Sequence, residues 1–95
     1  MFIVNLRFSD AKSKAPEFMA AHNEWIKQGF ESGSFLVVGS IQPNLGGSII
    51  AHGLSREALE AVVKQDPFVA ENIVTAEILE ISPKKVDQRL DFLLS

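Results

Sequence analysis

Apolar residues recur at two different spacings along this chain, and the order in which the spacings alternate leaves few folds open. Phe2, Val4, Leu6 and Phe8 are separated by Ile3, Asn5 and Arg7, a period of two that gives a strand one strongly apolar face. Pro16 is acceptable in a first helical turn. Phe18, Ala21, His22, Trp25, Ile26 and Gly29 then follow helical spacing, with Glu17, Glu24, Gln28 and Glu31 on the other side. Ser32 and Gly33 close this helix, since glycine takes the left-handed conformation that ends many helices. Phe35 to Ile41 is apolar on both sides, with Phe35, Val37 and Ile41 on one and Leu36 and Val38 on the other, which predicts a strand covered on both faces. Pro43 to Gly47 reads as a turn, and Ile49 to Leu54 as a third strand forming a hairpin with the second. Ser55 caps a second helix with the apolar stripe Ala58, Leu59, Val62 and Val63. It stops at Asp66, because a residue before proline is pushed out of the helical region. Ile73 to Ile81 is a β-rich fourth strand ended by Pro83.

The resulting order, βαββαβ, is the split βαβ pattern of ferredoxin-like α+β folds, an antiparallel sheet with both helices on one face. That arrangement leaves the other face open, and the two-sided strand Phe35 to Ile41 predicts that a second copy of the sheet covers it in a homodimer. Ninety-five residues are expected to form a single domain, 1–95, with 83–95 as a C-terminal extension. Val86, Leu90, Leu93 and Leu94 sit at helical spacing in that extension. A short terminal helix docked on its own sheet or on the partner is expected there.

Composition narrows the functions. Nine Lys and Arg stand against twelve Asp and Glu, a net charge of -3, with no basic run beyond Lys84 and Lys85, so nucleic acid is not an expected partner. Cysteine is absent, which removes disulfides, thiolate nucleophiles and cysteine-based metal sites. Two histidines far apart in sequence, without clustered carboxylates, argue against a metal, and no cofactor is expected. Met1 to Phe8 is too short and too polar for a signal peptide, and no apolar run approaches roughly 18 residues. A soluble cytoplasmic protein without membrane contact is the expectation. A mean hydropathy of +0.13 in so small a chain again suggests apolar area covered by a second subunit.

Two residues stand out as carriers of chemistry. His22 lies four residues after Phe18 and four before Ile26, on the buried face of the first helix, where a polar ring needs a partner. It reads either as a core histidine bonded to a backbone carbonyl or as a functional one. Asp66 follows the second helix in Asp66-Pro67-Phe68, where it reads either as an aspartate capping the turn over Phe68 to Asn72 or as a partner for His22. Two helices side by side on one sheet allow the end of the second to come near the first, at a separation that the sequence does not fix. If the side chains meet, the carboxylate fixes one ring nitrogen and leaves the other to move a proton. Ser40 and Ser48 flank the glycine loop and are candidates for a pocket wall, against ordinary turn chemistry. His52 is weighed as an exposed strand histidine, Gly46-Gly47 as a turn, and Trp25 with Phe18 and Phe30 as core.

These residues resemble the YCII-related (YciI-like) family: His22 in the first helix, Gly33 before the second strand, Gly39 within it, the glycine of Gly46-Gly47, and Asp66-Pro67-Phe68. The resemblance covers nearly the whole chain. It implies a dimeric α+β barrel of two ferredoxin-like sheets packed face to face, related in shape to muconolactone isomerase and cofactor-independent monooxygenases. It also implies a His-Asp pair in a cleft as the active site, carried here by His22 and Asp66. The chain departs from the family at three places. Gly39-Ser40 replaces a Gly-Pro, Asn72 stands at a common glycine position, and no arginine lies between Ala15 and Ala21 to meet an anionic group. Asparagine tolerates a left-handed backbone, so the second change is compatible with the fold.

The leading functional expectation is a small lyase, isomerase or hydrolase acting on a small, cyclic or aromatic molecule. His22 is the general acid or base, Asp66 its orienting partner, and Ser40 and Phe68 are substrate-binding residues. A His-Asp pair without a nucleophile suits proton transfer rather than acyl transfer. The alternative is a non-catalytic binding or dimerisation module in which the pair only satisfies buried polarity. Fold alone also suggests a cofactor-free monooxygenase.

Overall fold

The computed structural model describes residues 1–94. Strand β1 (Phe2–Phe8) is followed by a 3-10 turn (Lys12–Lys14), helix α1 (Ala15–Glu31), β2 (Phe35–Ile41), β3 (Gly46–Ala51), α2 (Arg56–Lys64), a one-turn helix α3 (Pro67–Ala70) and β4 (Val74–Glu80). All strand pairs are antiparallel, in the order β2-β3-β1-β4. This is the ferredoxin-like α+β arrangement that the alternation of spacings predicts.

Alternate residues of each strand face the helices. Val4 lies opposite Ile49 and Phe2 opposite Ala51, and all four are buried with Leu6 against Trp25 of α1, Leu59 and Val63 of α2, and Phe68 of α3. The indole N–H of Trp25 donates to the Val62 carbonyl at 2.9 Å, tying α1 to α2. Phe35 meets the Trp25 ring edge-on, and its ring occupies the space where a Cβ on Gly29 would stand, so α1 approaches β2 closely at a residue with no side chain. The helix boundaries follow local chemistry. Pro16 sits in the first turn of α1, Ser55 Oγ accepts the Ala58 N–H at 3.1 Å at the start of α2, and Gly33 adopts φ +79° just beyond α1.

Three expectations need correction. Strand β3 runs from Gly46 to Ala51 rather than from Ile49 to Leu54. Gly46 and Gly47, expected in the turn, belong to the ladder, Gly46 opposite Arg7 and Gly47 opposite Leu6, and the reversal falls on residues 42–45. A Cβ on Gly46 would run into the Leu6 carbonyl, so glycine is required by the close approach of β1. The faces of β2 are also redistributed. A bulge between Phe35 and Val37 gives β2 one extra residue, so Phe35 and Val38 share the helix-covered face and Val37 lies on the other. Finally, no helix begins at Lys84. The terminal segment runs irregularly and then forms a 3-10 stretch, Gln88–Leu94, interrupted at Leu90, while Ser95 lies outside the described residues. Its Asp87 carboxyl is held below the usual range by the Arg89 side chain and backbone N–H, on an exposed surface.

Candidate functional site

Asp66 is in an extended conformation, set by Pro67, and α3 starts immediately after it. Its Oδ1 accepts the Phe68 backbone N–H at 3.0 Å, the cap expected of an aspartate at a helix start. The same oxygen lies 2.7 Å from Nδ1 of His22. The two readings of Asp66 are therefore both realised, since one oxygen caps α3 and meets the imidazole. Asp66 is fully buried and the His22 side chain is 13% exposed. Oδ2 is buried with no hydrogen-bond partner among the described residues, which concentrates the protein contacts of the carboxylate on Oδ1.

An ionised carboxylate only accepts, so the Nδ1 proton of His22 is the one donated, and in the neutral ring the lone pair is on Nε2. Phe68 supplies a third constraint. Its ring lies parallel to the imidazole, with centroids 4.0 Å apart and planes within 3°. Asp66-Pro67-Phe68 thus delivers both the carboxylate that fixes the imidazole edge and the ring that fixes its face. The ring of Trp25, about one helical turn further along α1, lies 6.0 Å from the imidazole, centroid to centroid, with the planes at 25°.

His22 and Phe68 border a cavity of about 380 Å³ between α1, α3 and the covered face of the sheet. Ser40 lines it because the β2–β3 register puts Ser40 opposite Gly47, which in turn faces Leu6 on that same side. Three of the four expected site residues, His22, Ser40 and Phe68, thus share one cavity, and Asp66 stands behind His22 outside its wall. Ser48 points to the other face, where its hydroxyl donates to Asn5 Oδ1 at 2.8 Å. His52 lies past the end of β3 and packs edge-on against Phe92. Trp25 is core, as its spacing suggests, while Phe30 is 44% exposed.

Sequence reasoning missed Asn23 and Asn44, which add amide groups to the cavity lining. Asn23 is adjacent to His22 and was legible only as a polar position on α1. Asn44 adopts φ +51° in the β2–β3 connection, a conformation asparagine tolerates, and in sequence its only signal is that of a turn residue. Among the described residues no group of three or more His, Cys, Asp or Glu is placed to hold a metal ion, and no helix is long and apolar enough to cross a membrane.

No curated protein gives a significant match to this chain. Among solved structures, the chain is similar to 5-chloro-2-hydroxyhydroquinone dehydrochlorinase (TftG) from Burkholderia phenoliruptrix AC1100, in complex with 2,5-dihydroxybenzoquinone. The TM-score is 0.68 at 15% sequence identity, covering 85% of this chain and 93% of that one. At that identity the likeness establishes the fold, which is the fold built above from the strand order. The family model for the YCII-related domain matches residues 1–83, from the first residue through the end of β4 and past it to Pro83, and the chain therefore belongs to the YCII-related domain family.

Proposed function

We propose that the protein is a small-molecule enzyme of lyase, isomerase or hydrolase type in which His22 moves a proton and Asp66 orients it. The observation that carries this reading is the 2.7 Å contact from His22 Nδ1 to the fully buried Asp66, made by a histidine that also borders a cavity. Asp66 holds Nδ1–H, so Nε2 is the basic nitrogen. It takes a proton from a C–H or O–H of the substrate and returns it to another atom of the substrate or to the leaving group. Phe68 holds the imidazole plane, and Ser40 offers a hydroxyl to a polar substituent. A volume of about 380 Å³ suits a molecule of one ring. The similar dehydrochlorinase was solved with a one-ring quinone, which supports the same size class. We also assign the open sheet face to a second copy of the chain, since Val37 and Leu79 remain 53% and 43% exposed there.

The test compares wild type with His22→Ala and Asp66→Asn against small lactones, quinones and enols, with 2,5-dihydroxybenzoquinone as a binding probe. Each variant is expected to lose roughly 10² to 10⁴ in rate. Wild-type turnover matched by both variants would overturn the assignment.

The complete burial of Asp66 and its cap on α3 favour a second reading, a binding module whose pair only satisfies buried polarity. Under it, His22→Ala strands the carboxylate and lowers stability by about 1–3 kcal/mol. A His22→Ala protein as stable as wild type would count against this rival.

A further inference from the structure

We propose that Lys12 is a specificity-determining cation of the His22 cavity, selecting ligands that carry an anionic oxygen, carboxylate or phenolate, over neutral ligands of the same shape. The proposal rests on the reading of that cavity as a ligand site. Lys12 opens the 3-10 turn just before α1, and its ammonium is drawn back over the sheet by two contacts. Nζ lies 4.9 Å from the centre of the Phe8 ring and donates to the Asn44 carbonyl at 3.4 Å. Phe8 and Asn44 both line the cavity that His22 and Phe68 border, so the charge stands at its rim.

The electrostatics leave that charge available. No Asp, Glu, Lys or Arg is among the residues lining the cavity, and among the described residues no carboxylate lies within ion-pairing distance of Lys12. A ring face and one carbonyl satisfy an ammonium only in part, because it has three donors. The segment between Ala15 and Ala21 has no basic residue, so α1 does not supply a cation ahead of His22. The turn is anchored where it starts. The Lys12 N–H donates to the Ser9 carbonyl, and Ser9 Oγ donates to the Asn72 and Ile73 carbonyls near β4. An anionic group entering the cavity meets a charge-assisted donor at the mouth and an imidazole within.

The experiment titrates the full chain with 2,5-dihydroxybenzoate and with 2,5-dihydroxybenzamide, which share ring and shape but differ in charge, following His22 and Phe68 resonances by NMR. Wild type is expected to bind the acid roughly two- to fivefold more tightly than the amide, the range for a partly exposed ion pair. Lys12→Met should abolish that preference without weakening amide binding, while Lys12→Arg and the control Lys14→Met should keep it. If the acid and amide bind wild type equally, or if Lys12→Met retains the preference, the role of Lys12 is overturned and the site survives. If neither compound perturbs His22 or Phe68 in wild type, the cavity is no ligand site for such molecules and the inference falls with it.

Discussion

The two faces of the sheet are made from alternate residues of the same strands, yet they carry opposite chemistry. On the covered face Val4, Leu6, Ile49 and Ala51 are buried under three helices, and the few polar groups there gather around one cavity. On the open face a polar row crosses the sheet, Ser48 to Asn5 at 2.8 Å and Asn5 to Glu77 at 3.3 Å, beside the exposed apolar residues Val37 and Leu79. The pleat therefore separates two tasks. The covered face supplies the core and the candidate site, and the open face supplies the surface available for association. A substitution can be aimed at either face by moving one residue along a strand.

The largest effect is expected on the covered face. Ile49 is 1% exposed at the centre of the core, and Ile49→Ala should cost about 2–5 kcal/mol, seen as a fall in Tm of roughly 8 °C or more. A cost below about 1 kcal/mol would mean that the covered face is not the core. Next comes Asp66→Ala, which removes the cap of α3 and the partner of His22 together. A loss of about 2–3 kcal/mol in chemical denaturation is expected. Because His22→Ala loses the pair and keeps the cap, the difference between the two variants isolates the contribution of the cap. Equal losses in the two variants would show that the cap contributes nothing of its own.

Much of this was legible in the chain because the signals were local or periodic. Period two located β1, helical spacing put His22 on the inner side of α1, and Asp66-Pro67 marked the end of α2. What escaped depended on pairing. Nothing within Phe35-Leu36-Val37 reveals a bulge, since the extra residue is defined only against Ala51 and Ile50 of the neighbouring strand. Gly46 and Gly47 look like turn residues because glycine serves turns and close-packed ladders alike, and the deciding contact is the Leu6 carbonyl on another strand. The terminal segment has helical spacing but too few residues to hold an α-helix without strong packing. The site shows the same division. Fold geometry puts the two helices side by side without fixing the His-Asp contact, and the Lys12 ammonium meets the carbonyl of Asn44, 32 positions away, which no spacing rule contains.

Ile50, the next residue along β3, sharpens the comparison between faces. It is half-buried on the open side, beside the terminal segment residues Val86, Leu90 and Leu93, which enclose with it a cavity of about 570 Å³. In dilute protein Ile50→Ala should cost about 1 kcal/mol, because a partly covered side chain forfeits only part of its transfer energy. If instead it matches Ile49→Ala, and the loss grows with protein concentration, the open face is sealed by a second copy at working concentrations.

The smallest effect is expected at Asn5, where the same question is put to a polar group. Its amide joins Ser48 and Glu77 within reach of water, so Asn5→Ala exchanges two protein hydrogen bonds for hydration and should change stability by less than about 1 kcal/mol. The sign of the concentration dependence carries the information. A copy packed face to face over this row desolvates it, and removing Asn5 then leaves Ser48 and Glu77 with fewer partners in a dry interface, raising the cost to about 1–3 kcal/mol in concentrated protein only. A small cost at every concentration would confine any association to the apolar half around Val37 and Leu79, leaving the polar row open to water.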